Sequence, residues 1–383
     1  MTRASPIMLA LGGLAALAAA LGIGRFVYTP ILPAMVDALG LSKSQAGLIA
    51  SANFVGYLAG ALIAATPRLP GSRRNWLLGA LLVSGATTAL MGAVSSLPAF
   101  LLLRLVGGAA SAFVLVFASA LVLDRLTAAG RGGLAALHFA GVGVGIAMSA
   151  ALVAALTAVQ ADWRALWFCS GALSLLALLV VLALVRPAAQ PAVSAARTGA
   201  PTRRPAIAPV VIAYGLFGFG YVITATFLVA IVRATPTVAS LEPWVWMLVG
   251  IAAAPSVALW AMLARRVGVL HAFALACFAE AVGVAGSVLW SSPAAIMAAA
   301  ALLGGTFMGI TALGLMAARE RSAADPRRVL ALMTASFGLG QIVGPLFAGF
   351  LYDRLGSFTV ASFAAALALL AAALLALRSA RTG

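Results

Sequence analysis

The sequence predicts an all-α membrane protein with twelve transmembrane helices in two pseudo-symmetric six-helix bundles. Three observations carry this. Of the 383 residues, 64% are hydrophobic and 8% charged, a balance that no water-soluble domain of this size sustains on its surface. The apolar residues lie in long unbroken runs that match the roughly 20 residues needed to cross a hydrocarbon core, not in the short alternating strands of a lipid-facing barrel. Features of the first half also recur in the second at a nearly constant offset.

Runs between charges and Pro/Gly punctuation define spans 1 to 12 at about 7–32, 44–65, 76–96, 98–122, 132–158, 163–185, 208–232, 243–263, 269–290, 294–317, 328–351 and 357–377. With the amino terminus inside, the inner loops and tails hold Arg3, Arg68, Arg73, Arg74, Arg125, Arg131, Arg186, Arg197, Arg203, Arg204, Arg265, Arg266, Arg319, Arg321, Arg327, Arg328, Arg378 and Arg381, eighteen of the 24 basic residues. The outer loops hold Lys43, Arg164, Arg233 and Arg354, while Arg25 and Arg104 lie inside spans. This bias places both termini in the cytoplasm. One span more or fewer would scramble it, so the net charge of +16 encodes topology and not a nucleic-acid partner. A cleaved leader in "MTRASPIMLALGGLAALAAA" would leave eleven spans with their loop charges misplaced. Cys169 and Cys277 sit in apolar helix and read as packing residues, without a disulfide, metal or cofactor.

One segment, "RPAAQPAVSAARTGAPTRRPAIAP", breaks the rhythm. It reads as a flexible linker, giving an N-terminal bundle at 1–185, a cytoplasmic linker at 186–208 and a C-terminal bundle at 209–383. Gly22 and Gly24 of span 1 recur as Gly218 and Gly220 of span 7, 196 residues on. Gly107 and Gly108 of span 4 match Gly304 and Gly305, and Gly141 and Gly143 of span 5 match Gly338 and Gly340, both at 197. Parallel repeats with a site at the midplane between them are a transporter architecture.

Further motifs carry a family resemblance. The loop after span 2, "GALIAATPRLPGSRR", keeps Arg68, Gly71, Arg73 and Arg74 of a G-x-L-x-D-R-x-G-R-R pattern but has Pro67 near its acidic position. The matching loop "LARRVG" has Arg265 in place of the aspartate, followed by Arg266. Span 4 contains "RLVGG" and span 11 "GQIVGPLFAG". With these the chain resembles the major facilitator superfamily over essentially its whole length. "GIGRFVYTPILPAM", "SANFVGYLAGAL" and "ASFGLGQIVGP" are similar to its YbfB/YjiJ-like bacterial branch. The resemblance implies the twelve-helix fold, cytoplasmic gating by Arg68, Arg73, Arg74, Arg265 and Arg266, and a place for Arg104 on the central cavity. The missing loop aspartate weakens the usual charge-relay gate. Met148, where antiporters of this family have a proline, leaves transport direction open.

The candidate substrate-binding residues are Arg25, Tyr28, Asn53, Tyr57, Arg104, Tyr221 and Gln341. A charge at the bilayer centre costs roughly 2.5–3.5 kcal/mol, so Arg25 faces a cavity or partner, or snorkels to the headgroups. As an anchor its planar fork suits carboxylate, sulfonate or phosphate. Tyr28 shares its helical face, Asn53 and Tyr57 form an i, i+4 pair, and Tyr221 is the repeat counterpart of Arg25. Arg104 either lines the cavity or bonds a neighbouring carbonyl. Gln341 either meets a ligand or joins two helices. His138, whose side-chain type titrates nearest neutrality, and Glu280, the one acid deep in a span, are the candidate proton-coupling groups, although span 9 is expected to be peripheral. Asp37, Asp124, Asp162, Glu320 and Asp353 read as caps or gate ion pairs.

The reading is therefore a secondary active transporter of the bacterial inner membrane, monomeric in lipid, moving a small organic anion with protons. The alternative is a proton-driven efflux pump for amphipathic drugs or toxic compounds. An enzyme is not expected, because the two histidines lie 133 residues apart with no acid cluster near either. No filter-like loop favours a channel, and no G-x-x-x-x-G-K-[ST] supports ATP-driven pumping.

Overall fold

The computed structural model describes residues 5–66, 69–186, 207–289, 291–321 and 326–381, so Arg68 and all but the ends of the expected linker fall outside it. Among the described residues twelve helices are long and apolar enough to cross a membrane. They are Pro6–Leu39, Lys43–Ala64, Arg73–Ala93, Leu97–Ala128, Gly132–Ala158, Trp163–Leu184, Ala208–Ala234, Ala239–Val267, Val269–Leu289, Pro293–Arg321, Arg328–Leu355 and Thr359–Arg381, spans 1 to 12 in order. Several outrun their apolar stretch. Span 1 continues to Leu39 and span 4 to Ala128, because a helix ends where its orphan backbone groups find caps, not where hydropathy falls. Gly40 closes span 1 in the left-handed conformation (φ 64°), which a residue without Cβ adopts freely. Ser42 opens span 2 with a reciprocal box to Gln45, and Ser72 and Asp162 accept from the third residue of spans 3 and 6.

Within each bundle glycines let backbones touch. A Cβ on Gly108 of span 4 would strike the carbonyl of Asn53 in span 2, and one on Gly304 of span 10 would strike that of Val249 in span 8. Both partners are related by 196 residues, so this close approach is itself repeated. Gly305 faces open space, and the repeat mates in span 10 are offset by 196, as in span 1. Between bundles, Gly143 of span 5 packs on Gly250 and Ala254 of span 8, and Gly47 of span 2 packs on Pro345 of span 11.

Spans 1 and 7 meet along the pseudo-two-fold axis. Thr29 Oγ1 donates to the Ala225 carbonyl (2.7 Å), and Arg233 Nη2 pairs with Asp37 Oδ2 (2.6 Å). Each contact joins a residue to its own counterpart 196 positions later, as an isologous interface requires at its axis. These contacts lie toward the face opposite the termini. There Asp353, ending span 11, accepts the backbone N–H groups of Lys43 (3.0 Å) and Ser44 (2.9 Å) at the start of span 2. That face is closed. On the terminal face a cavity of about 830 Å³ opens among spans 2, 3, 4 and 11.

Candidate substrate site

The site begins with a break in span 1. After an α-helical stretch the chain widens into a π turn over Ala18–Ile23, and Gly24 and Phe26 donate five residues back, to Ala19 and Leu21. It becomes α-helical again at Tyr28, just ahead of Pro30, which has no N–H to donate, and of Pro33 inside the helix. Arg104 of span 4 fills this break. Its Nη1 donates to the Gly24 carbonyl (3.0 Å), its Nη2 to that of Arg25 (3.1 Å), and its guanidinium carbon lies 5.1 Å from the Tyr28 ring centre. Asn53 Nδ2 donates to the Arg104 carbonyl (3.0 Å), and Tyr28 Oη to that of Ala46 (2.8 Å). Arg104, Asn53 and Tyr28 therefore form a clasp of backbone contacts that ties spans 1, 2 and 4 at one level.

The clasp presents Arg25. Its side chain is buried, with the whole residue 5% exposed, and its guanidinium carbon lies 4.5 Å from the ring of Tyr57, 4.7 Å from Phe54 and 5.2 Å from Phe26. Cation–π contact of this kind replaces part of the lost hydration. Nε and Nη2 have no hydrogen-bond partner among the described residues. Facing it from the C-terminal bundle is Tyr221, within electrostatic reach of both Arg25 and Tyr57. Gln341 Nε2 of span 11 donates to the Tyr221 hydroxyl, leaving Gln341 Oε1 unpartnered among the described residues. Tyr221 stands between Phe337 and Phe307, with interplanar angles of 4° and 7° and centroids 5.9 and 5.8 Å away. Phe26 crosses the seam to touch Phe307 (5.9 Å) and Trp246 (6.4 Å).

The structure thus gathers Arg25, Tyr57, Tyr221 and Gln341 in one place and sets Tyr28, Asn53 and Arg104 behind them. The proton candidates lie elsewhere. His138 is packed between spans 1, 4 and 5, against Gly13 and 3.2 Å from Ser119 Oγ. Gly13 is twelve residues before Arg25, about 18 Å along a helix. Glu280 is fully buried and points into the C-terminal bundle, within electrostatic reach of Tyr221. Neither of its oxygens makes a hydrogen bond among the described residues, and the neighbouring Thr306 hydroxyl donates instead to the carbonyl of Leu302 (2.6 Å). Of the expected gating arginines, Arg73 pairs with Asp124 (3.5 Å), while Arg74 donates to the carbonyls of Val185 (2.7 Å) and Leu182 (3.2 Å) at the end of span 6. Arg265 and Arg266 are exposed in the last turn of span 8. The stacking of Phe307 and Phe337 on Tyr221, and the contact of Trp246 with Phe26, were not foreseen, since nothing in a chain with 18 phenylalanines and 7 tryptophans singles those out.

The cavity on the terminal face leads toward this cluster. Its wall includes Ala61, one turn from Tyr57 on span 2, and Thr334, two turns from Gln341 on span 11. Leu58 packed on Gly338 narrows the route above it, since a Cβ there would lie 3.0 Å from Leu58 Cδ1.

The fold and this inter-bundle cluster define a major facilitator superfamily transporter. The chain belongs to the family described as uncharacterised MFS-type transporter YbfB, whose pattern matches residues 17–377. No curated protein matches. Among solved structures, a bacterial homologue of the human lysosomal transporter Spinster, in an inward-facing and occupied conformation, superposes with a TM-score of 0.74 at 17% identity, over 98% of this chain and 97% of that one. The nucleoside transporter NupG does so at 0.70 and 16%, over 99% of both chains, and its D323A mutant at 0.71 and 17%, over 98% and 99%. At these identities the likeness is one of fold.

Proposed function

We propose that the protein moves a small organic anion across the bacterial inner membrane by alternating access, coupled to protons. Arg25 carries the reading. It is a buried guanidinium at the meeting of the bundles, with two donors unmet among the described residues. A buried charge whose counter-charge is missing is costly even against aromatic faces, and a bound anion supplies it. Tyr57, Tyr221 and Gln341 line the site with it, and Arg104, Tyr28 and Asn53 hold its backbone. Glu280, the proton candidate within reach of Tyr221, is assigned the coupling, and His138 a place inside the N-terminal bundle. The positive-inside bias puts the terminal face in the cytoplasm, so the conformation is inward-facing and Arg73, Arg74, Arg265 and Arg266 stand at its gate. The protein works as a monomer in lipid.

The test is a thermal-shift screen of the purified protein against organic anions, nucleosides and amphipathic cations, repeated with Arg25→Met. The expected result is stabilisation by anions in the wild type and at least a tenfold loss of apparent affinity in the variant. Stabilisation by cations or nucleosides that Arg25→Met leaves intact would remove the anion reading.

A further inference from the structure

We infer that the outside of the C-terminal bundle holds one anionic phospholipid, with an acyl chain in the groove between spans 9 and 12 and its phosphate between His271 and Arg381. The site is separate from the one at Arg25, and the inference stands whichever compartment the terminal face meets.

The groove is built alike from both sides. On span 9 it is lined by His271, Ala274, Leu275 and Phe278, and on span 12 by Leu370, Ala373, Leu374 and Leu377. Each set follows the i, i+3, i+4, i+7 spacing of one helix face. Ala274 and Ala373 are buried and form the floor, while Leu275, Phe278 and Leu374, at 50%, 57% and 58% exposed, stand up as walls. The cavity between them measures about 630 Å³. Seven residues separate His271 from Phe278, about 10 Å of helix, which fits within the roughly 15 Å that one leaflet gives to the hydrocarbon core. Apolar side chains exposed on the outside of a membrane-spanning bundle meet acyl chains.

At the terminal-face end the chemistry changes. His271 closes the stripe of span 9, its ring lying back over the turn from span 8, where a Cβ on Gly268 would be 3.7 Å from Nδ1. Arg381 is exposed one turn beyond Leu377, on the stripe of span 12. An imidazole N–H and a guanidinium fork both donate to phosphate oxygens. Arg265 and Arg266, exposed in the last turn of span 8, add positive charge beside Val267, which also borders the groove. Residues 262–275 and 370–383 contain no acid. A lipid amine therefore finds no counter-charge here, while a net anionic headgroup finds several.

The internal repeat supplies a contrast. Counted back 196 residues, the groove falls on spans 3 and 6, with Asn75 in place of His271 and Val185 in place of Arg381. There the helix ends are tied, because Arg74 donates to the carbonyls of Val185 (2.7 Å) and Leu182 (3.2 Å). The counterpart of Arg74 is Leu270, which is buried and has no donor to make that tie. In the second bundle the cation stands at the open mouth of the groove instead.

The test is native mass spectrometry of the full-length protein in neutral detergent, titrated with 1-palmitoyl-2-oleoyl phosphatidylglycerol, with phosphatidylcholine of the same chains, and with inorganic phosphate. One phosphatidylglycerol is expected to bind at least fivefold more tightly than phosphatidylcholine, with no phosphate adduct at matched concentration. His271→Gln combined with Arg381→Gln should bring the two lipids within twofold of each other. Arg131→Gln, which removes an exposed charge on the same face of the other bundle, should keep the preference. Leu275→Gln combined with Leu374→Gln should weaken both lipids several-fold. Equal affinity for the two lipids in the wild type, or a preference that survives the loss of His271 and Arg381, overturns the inference. So does a preference that falls just as far in Arg131→Gln, which would mark diffuse surface charge and no site. Phosphate binding as tightly as the lipid, or lipid binding indifferent to the glutamines at 275 and 374, takes the acyl chain out of the groove and overturns it as well.

Discussion

Two arginines meet at the break in span 1 and are bonded in opposite ways. Arg104 has both terminal nitrogens on carbonyls of the broken segment of span 1. Arg104→Met leaves two buried acceptors unsatisfied at about 1–3 kcal/mol each, so the variant should melt several degrees lower and lose ligand binding as Arg25 loses its platform. Arg104→Lys keeps the charge but not the fork, and is expected to recover part of the stability. Arg25→Met removes a guanidinium that has Nε and Nη2 unmet among the described residues, and should hold its melting temperature within a few degrees while binding disappears. A large destabilisation by Arg25→Met, with Arg104→Met harmless, would reverse the assignment. Glu280 gives a third contrast. Its two oxygens lack partners in the interior of the C-terminal bundle among the described residues, and Glu280→Gln conserves shape while removing the group that can take up and release a proton. In proteoliposomes this variant should retain counterflow of the substrate yet lose accumulation driven by a pH gradient. Undiminished uphill transport would take Glu280 out of the mechanism.

Among the elements, glycine positions decide how closely helices approach. Gly108 against the Asn53 carbonyl and Gly304 against that of Val249 are the same contact made twice. Leu at either position would force the backbones of spans 2 and 4, or 8 and 10, apart, because a clash with main chain cannot be relieved by a rotamer change. Gly108→Leu and Gly304→Leu should each cut the yield of monodisperse protein on size exclusion by more than half. Gly305→Ala and Gly79→Ala, with nothing within 4 Å of the added carbon, should leave it unchanged. Equal behaviour of both pairs would show that helix contact does not set this tolerance. Span number and bundle repeat were legible in the sequence because long apolar runs and paired glycines are discrete marks that survive without neighbours. The π turn at Ala18–Ile23 was not, since it depends on Arg104 reaching from span 4 as much as on Pro30 within span 1. Arg25, Tyr57, Tyr221 and Gln341 could be read as candidates because polar groups are rare in such spans. The ring stack could not, because apolar side chains carry no local sign of which one they will face. Glu280 shows the limit from the other side: span 9 was expected to be peripheral, yet its acid points inward, a rotation about the helix axis that hydropathy does not fix.

At the scale of the whole molecule, two bundles related by a pseudo-two-fold axis must open on one side when they close on the other. The closed face is held by few polar links. Arg233 bridges Asp37 and Glu242 (3.4 Å), and Asp353 caps the first turn of span 2. The ion pairs are partly exposed and contribute about 0–1 kcal/mol, and the cap contributes about 1 kcal/mol. Removing Asp37 and Asp353 together should therefore shift the opening equilibrium by roughly tenfold, since about 1.4 kcal/mol is one decade. Thr29 reports on that shift. It lies on the axis, is 3% exposed, and bonds the carbonyl of its own repeat mate, so nothing short of separation of spans 1 and 7 uncovers it. With Cys169 and Cys277 replaced by alanine, Thr29→Cys should react slowly with a membrane-impermeant maleimide added to the face opposite the termini. Adding Asp37→Ala and Asp353→Ala should speed labelling about tenfold, and a bound anion, by bringing the bundles together, should slow it again. If labelling is fast from the start, or indifferent to the two substitutions, the polar links on this face do not hold the molecule closed. The barrier would then lie in the apolar seam that Phe26, Phe307 and Trp246 form one turn deeper.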